Sequence, residues 1–255
     1  MKFTYITLII FLSFFLSGCF LEEENKREAI NRGLSPSAMF NEAKEQLNAG
    51  ALDEAIKLFE DVQAAYPSSK FAIQAKLEII YNLYKAKKYD ESLALIEDYI
   101  KKYPNHSSSP YAYYLRALIS EDKSKSILDD FITDNAQRDV TSVIESMNFY
   151  LELIDRFPET NYSENALDKL VILRNIIARH ELFVAIFYFK KQAYISSINR
   201  CKYIIEKFPK TPSVPAALSL IAHNYDKINA TKLAEDARRV LKASYPKYIP
   251  HYTLD

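Results

Sequence analysis

Residues 53–67 read DEAIKLFEDVQAAYP, a stretch with helical periodicity that ends in an aromatic–proline pair. Its apolar side chains share one face of a helix: Ala55, Leu58, Phe59 and Val62. Proline ends the helix because it has no backbone N–H to donate and because it restricts the residue before it. The stretch therefore predicts an amphipathic helix with a defined end.

The same phrase recurs along the chain, at Tyr66-Pro67, Tyr103-Pro104, Phe157-Pro158, Phe208-Pro209 and Tyr245-Pro246. The prolines are 37, 54, 51 and 37 residues apart. Ser, Thr or Asn follows each of the first four pairs within two residues, which suits a cap for the next helix. Helix pairs with a period of about 34 residues are typical of tetratricopeptide arrays. The sequence therefore predicts an all-α fold, an α-solenoid of about five tetratricopeptide-like helix pairs.

Single repeats match the tetratricopeptide pattern only weakly. Ser92 and Ser197 stand where alanine is usual, and Cys201 stands where phenylalanine is usual. The two long spacings predict insertions. We expect a polar insertion at 123–140 inside repeat three. In repeat four we expect one very long or kinked helix over 163–191, SENALDKLVILRNIIARHELFVAIFYFKK.

The N-terminus predicts a membrane anchor. An uncharged apolar run at 3–18 is too short to span a bilayer, which takes about 20 residues, and it fits a secretory signal. Leu16-Ser17-Gly18-Cys19 resembles the bacterial lipobox, which implies cleavage before Cys19 and acylation of its thiol. Phe20 stands where an aspartate would favour the inner membrane. We expect a signal peptide at 1–18, the lipidated Cys19 with a polar tether over 19–34, and attachment to outer-membrane lipid on the periplasmic face. An ordinary signal with a coincidental cysteine is the alternative.

Composition and motifs give no support for an enzyme. Formal net charge is +0 with no basic block, which argues against a nucleic-acid partner. Only three glycines occur, so a Gly-rich phosphate loop has no place beyond Gly50. His180-Glu181 lacks the second histidine of a helical zinc site, because that position is Val184. Cys201 lies on an apolar helix phase, where we expect a buried thiol. We predict no catalytic site, no metal and no cofactor.

Several stretches resemble the BamD/ComL family of outer-membrane β-barrel assembly lipoproteins. They are YAYYLRAL (111–118), QRD (137–139), ARHEL (178–182), VAIFY (184–188), AYISSINR (193–200) and FPKTP (208–212). The resemblance implies a non-enzymatic scaffold that docks on the periplasmic domains of a BamA-like barrel subunit. It also implies contact with accessory assembly lipoproteins and with unfolded outer-membrane proteins. The alternative is another tetratricopeptide lipoprotein, one that serves cell-wall or Tol-Pal machinery.

Two candidate sites follow. We assign substrate binding to the N-terminal repeats (35–122) and partner docking to the C-terminal repeats (141–246), with a tail at 247–255. The first helices of the repeats would line a groove with side chains Phe40, Leu77, Tyr81, Tyr84, Tyr111 and Tyr114. Packing of these rings between repeats is the alternative. The resemblance implies that the C-terminal repeats meet the barrel subunit's periplasmic domains. Asn199 and Arg200, which we expect to open the second helix of repeat four, are the docking candidates there, since the planar fork of arginine makes paired bonds. A solvated arginine or an intramolecular ion pair is the alternative there.

Overall fold

The computed structural model describes residues 33–126 and 140–250, with the backbone alone for 124–126. The predicted signal peptide, Cys19 and nearly all of the tether lie outside the described residues, as do positions 127–139 of the predicted insertion and the end of the tail. Within the described ranges the chain is all-α, with ten helices and no strand. The prediction of an all-α fold of tetratricopeptide-like helix pairs is therefore confirmed. In those same ranges, every helix is too short or too polar to cross a membrane.

The chain forms two compact units that divide after Pro104. The first unit holds four helices: α1 (Pro36–Asn48), α2 (Leu52–Ala65), α3 (Lys70–Lys85) and α4 (Tyr89–Lys102). Consecutive helices pack on each other, and α1 also packs on α3. This is the packing of two tetratricopeptide repeats, in which the first helices of neighbouring repeats stack. Its core is centred on buried Met39, Phe59 and Val62.

The second unit holds six helices: α5 (Ser109–Ser126), α6 (Thr141–Arg156), α7 (Asn161–Lys190), α8 (Tyr194–Lys207), α9 (Ser213–Lys227) and α10 (Thr231–Ser244). Consecutive helices pack on each other, and α7 also packs on α5 and on α9. The long stretch of repeat four is a single helix of 30 residues, α7. These helices form three further pairs, α5/α6, α7/α8 and α9/α10.

The aromatic–proline pairs end the second helix of each pair, as the sequence predicts. The aromatic residue is the C-cap in all five: Tyr66, Tyr103, Phe157, Phe208 and Tyr245. The predicted caps form after two of the pairs, where Ser69 accepts from the Ala72 amide and Thr160 accepts from the Ser163 amide. Thr211 does not cap α9: the N-cap is Pro212, and no side chain accepts from the first amides of the helix. The Thr211 hydroxyl donates to the Phe208 carbonyl at 2.9 Å.

Serine replaces alanine at three buried positions of the second helices, and each hydroxyl has a partner. Ser92 Oγ donates to the Ile80 carbonyl at 2.8 Å, and Ser146 Oγ donates to the Ala117 carbonyl at 2.9 Å. Ser197 Oγ accepts from Asn224 Nδ2 at 2.9 Å. A buried hydroxyl is costly only when it lacks a partner. These bonds explain why the repeats keep their packing although their sequences are degenerate.

Candidate functional site

Three tyrosines form an aromatic row on the first unit, which we call the N-terminal aromatic surface: Tyr81, Tyr84 and Tyr89. The ring centroids of Tyr81 and Tyr84 are 6.1 Å apart, and those of Tyr84 and Tyr89 are 6.2 Å apart. Tyr81 is 39% exposed, and the other two are half-buried. The row runs from α3 onto the start of α4. It presents ring surface to which an apolar side chain could stack.

One of the predicted groove residues in this unit is buried, and another is partly buried against the core. Leu77 is buried, so it is not available as a groove surface. The ring of Phe40 packs against the core of the first unit, with centroids 5.4 Å from Phe59 and 5.6 Å from Phe71. Helical periodicity places Phe40 and Leu77 on the same predicted faces as the tyrosines. The sequence pattern alone therefore could not show which members of the set are buried. Of the groove set in this unit, Tyr81 is exposed, and Tyr84 and Phe40 are half-buried.

A second aromatic surface lies on the second unit, between α5 and α7: Tyr111, Tyr114 and Tyr162. The Tyr162 ring centroid lies 5.7 Å from that of Tyr111 and 5.7 Å from that of Tyr114. Tyr111 and Tyr114 are half-buried, while Tyr162 is exposed. Tyr162 was not among the predicted residues, because its closeness to α5 depends on how two helices far apart in sequence pack.

A buried polar network supports this second aromatic surface. Glu121 of α5 is buried and accepts from the hydroxyl of Tyr150 at 3.0 Å and from Lys169 Nζ at 3.2 Å. Burial, and then the neighbouring Glu121 carboxylate, raise the pKa of Tyr150 above its usual value. The hydroxyl therefore stays protonated and donates. Since the Tyr150 ring lies 5.9 Å from that of Tyr114, the network joins α5, α6 and α7 directly beneath the tyrosines.

Arg200 lies on an exposed face of α8 and pairs with Glu181 of α7. Its Nη1 donates to the two carboxylate oxygens at 3.0 and 3.3 Å. The structure thus contains the intramolecular ion pair that the sequence left open, and the docking role of Asn199 and Arg200 stays a prediction. Both residues lie in the middle of α8, which begins at Tyr194, and not at its start as we expected.

Apolar side chains flank the docking candidates. Ile195 is 60% exposed and Tyr203 is 42% exposed, and both are four residues from Asn199 on the same face of α8. On α7, Ile172, Phe183 and Phe187 are also exposed. A cleft of about 360 Å³ between α7 and the start of α9 is lined by Ile172, Asn175, Ile176, Arg179, Pro212 and Ser213. The second unit therefore presents apolar surface of the kind that protein partners cover.

Cys201 is inert in this setting. The thiol is fully buried in α8, and burial raises its pKa to about 12. A thiol that stays protonated is a poor nucleophile and a poor metal ligand. Glu181, the acidic residue of the His180-Glu181 pair, is engaged by Arg200. Over residues 33–126 and 140–250 the structure shows no group of three His, Cys, Asp or Glu side chains placed to hold a metal ion.

Comparison with known proteins gives consistent matches over most of the chain. Residues 32–241 match the YfiO family, described as "Outer membrane lipoprotein". The "Outer membrane protein assembly factor BamD" of Neisseria gonorrhoeae is 33% identical over 244 residues, with 95% of this chain and 91% of that protein covered. The protein of the same name from Xylella fastidiosa strain Temecula1 is 27% identical, with 91% and 79% covered. A solved structure of MamA protein is 13% identical, with 86% of this chain and 99% of that chain covered and a TM-score of 0.31.

Proposed function

Because this chain belongs to the YfiO family of outer membrane lipoproteins, we propose that it is an assembly factor for outer membrane proteins. The observation that carries the proposal is the likeness to a BamD assembly factor along 95% of the chain. The role is that of a non-enzymatic scaffold, held by acyl chains on Cys19 at the periplasmic face of the outer membrane. Copurification in mild detergent, read by mass spectrometry, tests it. A BamA-like barrel subunit and accessory assembly lipoproteins are the expected partners. Recovery of cell-wall enzymes or Tol-Pal components instead would favour the alternative scaffold.

Docking on the periplasmic domains of the barrel subunit is assigned to the exposed face of α8. Arg200 supplies a guanidinium whose planar fork can bind a carboxylate or a carbonyl, and Asn199 adds an amide. Ile195 and Tyr203 on the same face are exposed. Apolar side chains around a polar anchor exclude water when a partner covers them, which strengthens the bond at the centre. This face of α8 therefore has the composition of a site that binds a folded partner.

Replacing Arg200 with alanine is expected to weaken docking about five- to tenfold, or about 1 kcal/mol, the scale of an interface anchor. The dissociation constant for the purified periplasmic domains of the barrel subunit measures the effect. Circular dichroism serves as the control, because α8 is held by its buried face and should remain helical. Unchanged affinity at full helicity would leave Arg200 with the intramolecular pair alone.

Unfolded outer-membrane proteins are the proposed substrates, received on the aromatic surfaces. Such chains expose alternating apolar strands, and their side chains can stack on tyrosine rings and bury area against them. Tyr81 and Tyr84 serve this purpose on the first unit, and Tyr111 and Tyr114 serve it on the second. Each unit offers its own ring surface, so binding on one does not require the other.

Serine replacement of Tyr81, Tyr84, Tyr111 and Tyr114 together is expected to lower affinity for a peptide that copies a porin C-terminus at least tenfold, about 1.4 kcal/mol. The loss follows from removing four stacking surfaces. Docking through Arg200 should survive, since that residue lies on α8. The matched control is Tyr203→Ser, an exposed tyrosine outside both aromatic surfaces, which should leave peptide binding intact. Retained peptide affinity together with a collapsed melting temperature would assign these rings to the core.

A further inference from the structure

We propose that Glu181 is a positioning residue for partner docking: it fixes the guanidinium of Arg200 and leaves the other edge of that group for an acceptor on the partner. The inference rests on the proposed docking role of Arg200. Glu181 lies on α7 and need not itself touch the partner. Its role then goes beyond stabilising the contact between α7 and α8.

The geometry of the ion pair is one-sided. Both carboxylate oxygens of Glu181 accept from the same nitrogen, Nη1 of Arg200, at 3.0 and 3.3 Å. A guanidinium carries five donors in a rigid plane, so a bond at Nη1 sets the direction of the remaining ones. Within residues 33–126 and 140–250, Arg200 makes no other hydrogen bond or ion pair. The Nε and Nη2 edge is therefore oriented and has no acceptor of its own in the described part of the chain.

The two members of the pair differ in burial. The Glu181 side chain is 11% exposed, whereas the Arg200 side chain is 46% exposed. The carboxylate is thus held by the packing of α7 against its neighbours, and the arginine reaches it from the surface. A long, flexible arginine ordinarily loses rotamer freedom when a partner immobilises it. Here Glu181 has already restricted that freedom in the unbound protein, so less is lost on docking.

A competing role for Glu181 would have the opposite sign. If the carboxylate only neutralised Arg200 and withheld it from the partner, removing Glu181 would make the face more positive and would strengthen binding to an acidic acceptor. Positioning requires the reverse, a weaker complex despite the added positive charge. The sign of the change in affinity therefore separates the two roles.

The experiment measures binding of the barrel subunit's purified periplasmic domains to five variants of the full chain, the first of which is Arg200→Ala alone. Glu181→Ala should bind about three- to tenfold more weakly, as expected from the cost of ordering one long side chain. Glu181→Gln keeps an acceptor oxygen in place and should stay within about twofold of the parent protein, because orientation needs the hydrogen bond more than the charge. In the double variant Glu181→Ala with Arg200→Ala, removal of Glu181 should add nothing to the loss caused by Arg200→Ala.

The fifth variant, Asp226→Ala, is the matched control. It breaks another arginine–carboxylate pair of the same unit, Arg238 with Asp226, and should leave docking unchanged. Tighter binding of Glu181→Ala, or an equal loss with and without Arg200, would overturn the positioning role while the docking role of Arg200 stands. Unchanged binding of Arg200→Ala alone would instead overturn the proposed docking face, and the positioning role with it.

Discussion

Cys19→Ala protein is expected to leave the membrane fraction and to be recovered in the soluble periplasmic fraction after export. Attachment is assigned to acyl chains on this cysteine, each contributing about 0.8 kcal/mol per buried CH₂ group. One chain alone gives marginal binding, while several make attachment durable. Among the described residues every helix is too short or too polar to replace that anchor by spanning the bilayer. The expected effect is therefore a change of compartment, measured by fractionation and immunoblotting.

The control for this experiment is the other cysteine. Cys201→Ala removes a buried thiol from α8 and leaves Cys19 in place, so that variant should remain in the membrane fraction. Fractionation is best done in cells depleted of the barrel subunit, since docking alone could retain an unlipidated chain at the membrane. Cys19→Ala protein that still sediments with membranes under those conditions would falsify the lipid anchor.

Helix boundaries were the part of the fold that local chemistry could predict. The five aromatic–proline pairs marked the ends of α2, α4, α6, α8 and α10, because proline acts on the residues next to it. The extent of α5 was less accessible. It continues to Ser126, into the polar stretch where we expected an insertion from residue 123. Glu121, five residues before its end, is held by partners on α6 and α7. Those partners lie 29 and 48 residues away in the sequence. The periodicity of apolar residues within one helix does not indicate contacts at that separation.

The candidate site shows the same division. Exposure of Tyr81 and of Arg200 follows from helical phase, so the sequence could propose both. How neighbouring helices pack determines the burial of Leu77. It also determines the contact of Tyr162 with Tyr111 and Tyr114. The position of a residue on the face of one helix does not predict either. For Arg200, the sequence suggested an intramolecular ion pair as the alternative but did not identify the partner. Its partner became identifiable once α7 and α8 were placed side by side.

Replacing Glu121 with alanine is expected to lower the free energy of unfolding by about 2 kcal/mol, the scale of losing hydrogen bonds to a buried charged group. The Glu121 side chain is 5% exposed and bonds both to Lys169 and to the hydroxyl of Tyr150. Tyr150 is fully buried, so loss of the carboxylate leaves its hydroxyl without this acceptor. Lys169 is partly exposed and can regain water. Urea unfolding followed by circular dichroism measures the change.

Two further variants apportion that loss. Tyr150→Phe removes one hydrogen bond but keeps the ion pair, and it should cost about 1 kcal/mol. Glu159→Ala removes an exposed carboxylate of the same unit and should stay within about 0.5 kcal/mol of the parent protein. A loss for Glu121→Ala no larger than that for Glu159→Ala would show that the network does not hold α5 to α7.

The consequence of this network for function follows from where it lies. Glu121, Tyr150 and Lys169 join α5, α6 and α7, while Tyr111 and Tyr114 project from α5 and Tyr162 projects from α7. The relative position of α5 and α7 sets the spacing of these rings. Glu121→Ala should therefore weaken peptide binding on the second aromatic surface and leave Tyr81 and Tyr84 on the first unit unaffected. Binding measured in the Tyr81→Ser, Tyr84→Ser background isolates that surface, and the Glu121 variant should lose affinity there while its helices remain folded.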